Sequence, residues 1–255
     1  MLEYWFMFPV AIVVASLATG SGFGGGILFF PVFIHGLHLS VPEAVGTGMI
    51  TELCGMSSAM ICYTAQKQVE FEIALPMIII SFPGVLAGLY IVQTVNPVYP
   101  KFFFGIVVLL CALWVLYSLR DKEPSTGSNL LVEDMIPYSW VPFLGGISSG
   151  ITSVGTAETM LPVLNRLMKI EIHRAVATTV MIEGAVAWLA TSINIWEGQI
   201  CWPVAMYTIA GVIIGGRFGP MISRRIDASV LKIVFSFFVI IAGLQMIVSN
   251  VAYVF

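Results

Sequence analysis

The chain has 255 residues, of which 58% are hydrophobic and 10% charged. Soluble domains carry about 25% charged residues, so composition excludes one and points to a multi-span helical membrane protein whose first partner is the lipid bilayer. A net charge of −3 without a basic run excludes nucleic acid as a partner.

The N-terminus, Met1-Leu2-Glu3-Tyr4, lacks a positive n-region, so no cleavable signal peptide is expected. Apolar segments follow at 6–37, 44–63, 74–95, 102–119, 138–167, 175–195, 201–222 and 231–255. One helical crossing takes about 20 residues. Six segments fit one crossing each, whereas 6–37 and 138–167 are too long for one and are interrupted by Gly, Ser and Thr.

The first long segment contains Ser21-Gly22-Phe23-Gly24-Gly25-Gly26-Ile27-Leu28-Phe29-Phe30-Pro31. Glycine weakens a helix and proline removes a donor. Broken backbone survives inside a bilayer only where protein or a water-filled cavity surrounds it. Glycine-interrupted segments at matching positions of two halves point to a transporter's binding site.

A second half exists. The polar stretch 120–136 divides the chain, and a shift of 131 aligns Gly24 with Gly155 and Pro31 with Pro162. It also aligns Ala44 with Ala175, Thr47 with Thr178, Glu52 with Glu183, Gly84 with Gly215 and Lys101 with Lys232.

Two topologies compete. If every segment crosses once, Lys and Arg divide 8 against 3 between the two sides. If 6–37 and 138–167 are hairpins that enter and leave on one side, the division is 10 against 1, with Lys101 alone outside. Basic loop residues gather on the cytoplasmic side, which favours the hairpins. Each arm of 13–15 residues, about 20 Å of helix, reaches past mid-membrane. Three crossings per half is odd, so the halves are inverted. The expected fold is an all-α integral membrane protein of two inverted repeats, each a broken re-entrant helical hairpin plus three transmembrane helices. Repeat 1 covers 1–119, a cytoplasmic linker 120–137, and repeat 2 covers 138–255. This multi-pass protein of the cell (inner) membrane has both termini outside the cytoplasm.

The pattern Gly22-x-Gly24-Gly25-Gly26-x-Leu28-x-x-Pro31, followed by Ala44-Val45-Gly46-Thr47 in a duplicated chain, resembles the sulfite exporter TauE/SafE family. The resemblance covers essentially the whole chain. In the second half, Ser153-Val154-Gly155-Thr156-Ala157-Glu158-x-x-x-Pro162 keeps one glycine of the motif and the proline. The resemblance implies transport of small organic or inorganic sulfur anions, such as sulfite or sulfonates, in bacteria and archaea.

In the hairpin topology, Gly22–Gly26, with Gly22, Gly24, Gly25 and Gly26 after Ser21, form one tip near the midplane, and Ser153–Ala157, with Ser153, Gly155 and Thr156, form the other. The returning arm starts there with free backbone N–H groups, which hold an anion without a cationic side chain. The alternative is close helix packing at small residues. Three carboxyls lie inside apolar segments: Glu52, Glu158 and Glu183. An ionisable group in a span is a functional hypothesis by default. Desolvation favours the neutral form of a carboxyl, so these groups suit proton coupling to the anion. The alternative is that each fastens the start of a short helix. Thr47, Thr51 and Thr178 flank the carboxyls and either line the site or bond back to their own helices.

Small-residue faces at Gly84/Gly88 and Gly211/Gly215/Gly219 read as helix packing. Trp5, Trp140, Trp196 and Trp202 read as interfacial anchors. Cys54, Cys62, Cys111 and Cys201 read as apolar packing residues. His35, His38 and His173 lie at unrelated spacings, so no metal and no cofactor is expected. The absence of a P-loop points to secondary transport. An enzyme is not expected, for want of an HExxH or Cys–His arrangement within the spans. The rival function is a cation channel or carrier using the three carboxylates. Oligomeric state is not readable.

Overall fold

The computed structural model describes residues 2–118, 136–223 and 228–251, all helices and connections with no strand among them. Residues 120–135 of the expected linker, Arg224, Arg225 and 252–255 lie outside the described residues.

The first half runs α1 (Met7–Ser21), α2 (Gly26–Pro31), a π-helical turn (Val32–Gly36), α3 (Val41–Ala65), α4 (Phe71–Thr94) and α5 (Val98–Ser118). The second runs α6 (Trp140–Thr152), α7 (Thr156–Pro162), a π-helical turn (Val163–Leu167), α8 (Ile172–Trp196), α9 (Trp202–Ser223) and α10 (Ala228–Val251). The bounds of α3 and α8, and of the two π-helical turns, coincide under the 131-residue shift.

The local causes repeat as well. Proline has no N–H, and its ring crowds the carbonyl four residues back. The helix therefore widens to π after Pro31 and again after Pro162. Ser40 opens α3 as a capping box: its own N–H donates to Glu43 Oε2 at 3.0 Å.

Four helices are long and apolar enough to cross a membrane: Val41–Ala65, Phe71–Thr94, Ile172–Trp196 and Trp202–Ile222. The other two expected crossings appear among the described residues as the shorter apolar stretches Val98–Trp114 and Ser236–Val251. Neither long segment is one helix; each divides at its glycines or serine. Large apolar residues stand exposed along α4 (Leu75, Ile79, Leu86, Tyr90), the surface that lipid solvates.

α3 and α8 form the centre and run antiparallel. Thr47, near the start of α3, accepts a hydrogen bond at Oγ1 from the Cys201 N–H beyond the end of α8, at 2.9 Å. Thr178, near the start of α8, accepts one from the Glu70 N–H beyond the end of α3, at 3.0 Å. The two bonds are equivalent under the same shift. Arg174 Nη2 lies 2.6 Å from Glu70 Oε1 at that second junction. Outside this pair, α1 packs on α9 and α6 on α4. A methyl at Gly215 would overlap the Ile12 carbonyl, and one at Gly84 the Phe143 carbonyl. These contacts also obey the shift, and they place the small-residue faces in helix packing.

In the first half the chain doubles back. Tyr63, near the end of α3, donates to the Thr19 carbonyl at 2.9 Å, which puts the end of α1 beside the end of α3. The chain then returns through α2 to Ser40, at the start of α3.

Candidate functional site

The two breaks meet in the interior. At the first, Gly22 turns left-handed (φ +81°) and its N–H closes on Ala18 O. At the second, Ser153 takes the same turn (φ +61°) and closes on Ser149 O. Gly155 follows at φ +149°.

Carboxylates fill the amides that the breaks leave free. Gly26 N–H donates to Glu52 Oε1 at 2.7 Å, and Ala157 N–H donates to Glu183 Oε2 at 2.9 Å. Each glutamate lies 26 residues beyond its amide. Glu158 serves both breaks: Oε1 accepts from Gly24 N–H at 2.9 Å and Oε2 from Gly155 N–H at 2.7 Å. Ser153 Oγ lies 3.4 Å from Glu52 Oε2. All three carboxyls are buried, and none has an ion-pair partner among the described residues. Hydrogen bonds from amides to charged oxygen are the stronger kind, and here they stand in place of a cationic side chain.

The expectation of amides left open at the tips is therefore corrected. In this conformation the amides of Gly24, Gly26, Gly155 and Ala157 hold carboxylates of the chain itself, the arrangement in which glutamates fasten short helices.

Other predicted site residues are spread more widely. Gly24, Gly26, Ser153 and Gly155 gather around the carboxylates. Gly25 borders the small void beside Glu52, and a β-carbon added there would point toward the Phe29 ring, while Gly22 lies against Val176. Ser21 donates back to Leu17 O and Thr51 to Thr47 O, while Thr51 Oγ1 also lies 2.8 Å from Thr208 Oγ1. Thr156 pairs with Ser149 through both N–H and hydroxyl. Thr47 and Thr178 sit at the helix junctions described above.

Ala157 ends the expected second tip and is the counterpart of Gly26 under the shift; Ser149 and Thr208 were not foreseen, and no sequence signal marks them. A Gly146-x-Ser148-x-Gly150 spacing also occurs, but inside α6, with Ser148 Oγ donating to Val154 O. A nucleophile elbow needs a strand-to-helix turn, so this serine is helical packing. No group of three His, Cys, Asp or Glu among the described residues is placed to hold a metal.

A cavity of about 430 Å³ opens between α5 and the second hairpin. Its walls include Leu110, Cys111, Trp114, Tyr138, Trp140 and Leu144, and Glu158 and Thr159 also line it. Beside Glu52, Thr51 and Gly25 there is only a void of about 10 Å³, room for about one water.

Comparison with known proteins follows the same lines. The family model described as "Sulfite exporter TauE/SafE" matches residues 7–246. The chain is 22% identical over 268 residues to "Probable membrane transporter protein YunE" of Bacillus subtilis, covering 95% of this chain and 98% of that one. It is 24% identical over 264 residues to a "Probable membrane transporter protein" of Methanocaldococcus jannaschii, covering 96% and 97%. No solved structure matches.

Proposed function

The chain belongs to the sulfite exporter TauE/SafE family, and from that premise we propose that it is a secondary transporter of small sulfur-containing anions coupled to protons. That it is a multi-pass membrane protein of a transporter family, and not an enzyme, follows from the family and its long apolar helices.

One observation carries the proposal: four backbone amides from two facing breaks already hold carboxylate oxygens at 2.7–2.9 Å. Sulfite and sulfonate oxygens make the same demand on an N–H donor. The anion enters when a carboxyl takes up a proton and gives up its amide, so each anion travels with a proton. Gly24, Gly25, Gly26, Ser153 and Gly155 form the site, with Glu52, Glu158 and Glu183 as proton carriers. Under this reading the halves are inverted repeats and the broken segments are re-entrant hairpins. The antiparallel α3 and α8, and the doubled-back first segment, support both points. Both termini then lie outside the cytoplasm, in the cell (inner) membrane, and one half rocks against the other.

The test is uptake of labelled sulfite, thiosulfate or a small sulfonate into liposomes. Flux is expected to rise with an imposed proton gradient, and Glu183→Gln to keep flux while losing that dependence. An unchanged pH dependence in Glu183→Gln removes the coupling role. The three buried carboxyls without an ion-pair partner favour a second reading, a cation carrier. Cation flux lost in both Glu52→Gln and Glu183→Gln, without anion flux, would establish it.

A further inference from the structure

We infer that Glu158 is a positioning residue for both backbone breaks at once, a pin whose protonation from one side lets the two halves separate. The pin deepens the transport reading by giving the proton a mechanical task, but its observations are independent of the substrate.

The first observation is the bridge. Gly24 and Gly155 are equivalent under the 131-residue shift, and a single carboxylate accepts from both, one oxygen each. Glu52 and Glu183 each accept from the backbone amides of one break only, although the Ser153 hydroxyl makes a longer contact of 3.4 Å to Glu52 Oε2. The first-half counterpart of Glu158 is Ile27, buried and apolar. One acceptor therefore joins two equivalent donors, and nothing in the first half duplicates it.

The second observation is access. Glu158 borders the cavity of about 430 Å³, whereas Glu52 and Glu183 do not line it. Its walls are mostly apolar, with Glu158 and Thr159 among the few polar groups that border it. In the proposed mechanism the proton comes to Glu158 through this gap, from the side where α5 ends and α6 begins, which is the cytoplasmic side in the proposed topology.

The third is the company Glu158 keeps. The titratable groups around it are Glu52 from α3, Glu183 from α8, Cys111 from α5 and Tyr138 ahead of α6. Among the described residues none is basic, so the two amides are the donors that favour the charged carboxylate against burial, and no side-chain cation adds to them.

Protonation moves one proton through the cavity to one carboxyl oxygen, and that oxygen then presents an O–H donor toward an amide donor. When the proton sits on Oε1, the bond lost is the one from the Gly24 N–H, and with it the tie between halves. Return of the proton to the cavity restores it.

Hydrogen exchange on the purified full-length protein in detergent, corrected for the intrinsic pH dependence of amide chemistry, tests the pin. Glu158→Gln places an amide NH₂ where one oxygen was and imitates the protonated state. Exchange at 22–26 and at 153–157 is expected to rise together by about tenfold or more in this variant. Glu52→Gln is expected to loosen 22–26 alone. In the wild type, protection at both breaks falls together as pH is lowered, and Glu158→Gln loses that dependence. Loosening confined to 153–157, or a pH dependence that survives in Glu158→Gln, overturns the pin in favour of a local cap. If Glu158→Gln does not fold, Glu158→Asp decides. Its shorter side chain is expected to keep the Gly155 bond and release 22–26, and equal protection at both breaks overturns the inference. Because exchange needs no substrate, a linked pattern in a protein without anion flux would sink the transport reading and leave the pin standing.

Discussion

The two breaks open with the same left-handed turn on different residues and then diverge, α7 starting one position earlier than α2 under the 131-residue shift. Gly22-Phe23-Gly24-Gly25-Gly26 and Ser153-Val154-Gly155-Thr156-Ala157 share one glycine, at Gly24 and Gly155. The left-handed turn falls to glycine in one half and to serine in the other. A β-carbon at Gly24 would sit 2.8 Å from Glu52 Oε1 and 3.0 Å from Glu158 Oε1. A β-carbon at Gly155 would instead meet Ser148 and the Gly145 carbonyl, and its φ of +149° itself favours glycine, so the two positions keep glycine for different local reasons while each amide holds an oxygen of Glu158. Of the remaining glycines in the first break, Gly22 and Gly26 press on Val176 and Ser153 of the second half, and Gly25 faces Phe29. The loss of the glycine-rich pattern in the second half leaves the amide geometry intact.

The sharpest way to break this comparison is position 26 against its counterpart. A β-carbon on Gly26 would overlap the Ser153 carbonyl, which is backbone and cannot swing aside. Ala157, at the equivalent place, already carries one. Gly26→Ala is expected to cost about 2–3 kcal/mol through overpacking and to reduce transport severely. Ala157→Gly should cost about 1 kcal/mol or less, the helix propensity difference. Thermal unfolding in detergent with liposome flux checks both. Equal effects would mean that the two hairpins do not press on each other at Gly26.

Next in size are Thr47 and Thr178, which do the same task at opposite junctions. Each hydroxyl accepts from a backbone N–H that would otherwise lack a partner. Thr47→Val and Thr178→Val should each destabilise by about 1–2 kcal/mol, the cost of an unmet amide. Apparent substrate affinity should stay the same in both. Weaker affinity in Thr178→Val alone would put that threonine on the substrate path and separate it from its counterpart.

These residues show where sequence reasoning stops. The break positions and the shift of 131 were legible because glycine, proline and glutamate recur at rare, matched places. The occupants of the amides were not. Every residue except proline offers the same N–H, so no letter in the sequence distinguishes Gly26 or Ala157 as the partner of a glutamate 26 residues on. Ser21 and Thr51 looked like site residues because they are polar and near the breaks. Inside a helix, such hydroxyls often bond to the carbonyl one turn back, and both do. The cavity beside Glu158 depends on how far α5 stands from the second hairpin, a tertiary distance with no local sequence signature.

The smallest expected effect is the most direct comparison of the two turns. Ser153 holds φ +61° without the freedom of glycine, a strain of about 1 kcal/mol. Ser153→Gly gives the second break the residue of the first. It removes that strain, and it also removes a long contact of 3.4 Å to Glu52 Oε2. Glycine costs some backbone entropy on folding, so the net gain should be about 0.5 kcal/mol, with flux near that of the wild type. A loss of stability would mean that the Ser153 hydroxyl outweighs the strain by holding Glu52 in place. In that case the second break would support the carboxylate of the first, and the two turns would be dependent parts of one site rather than independent solutions to the same backbone problem.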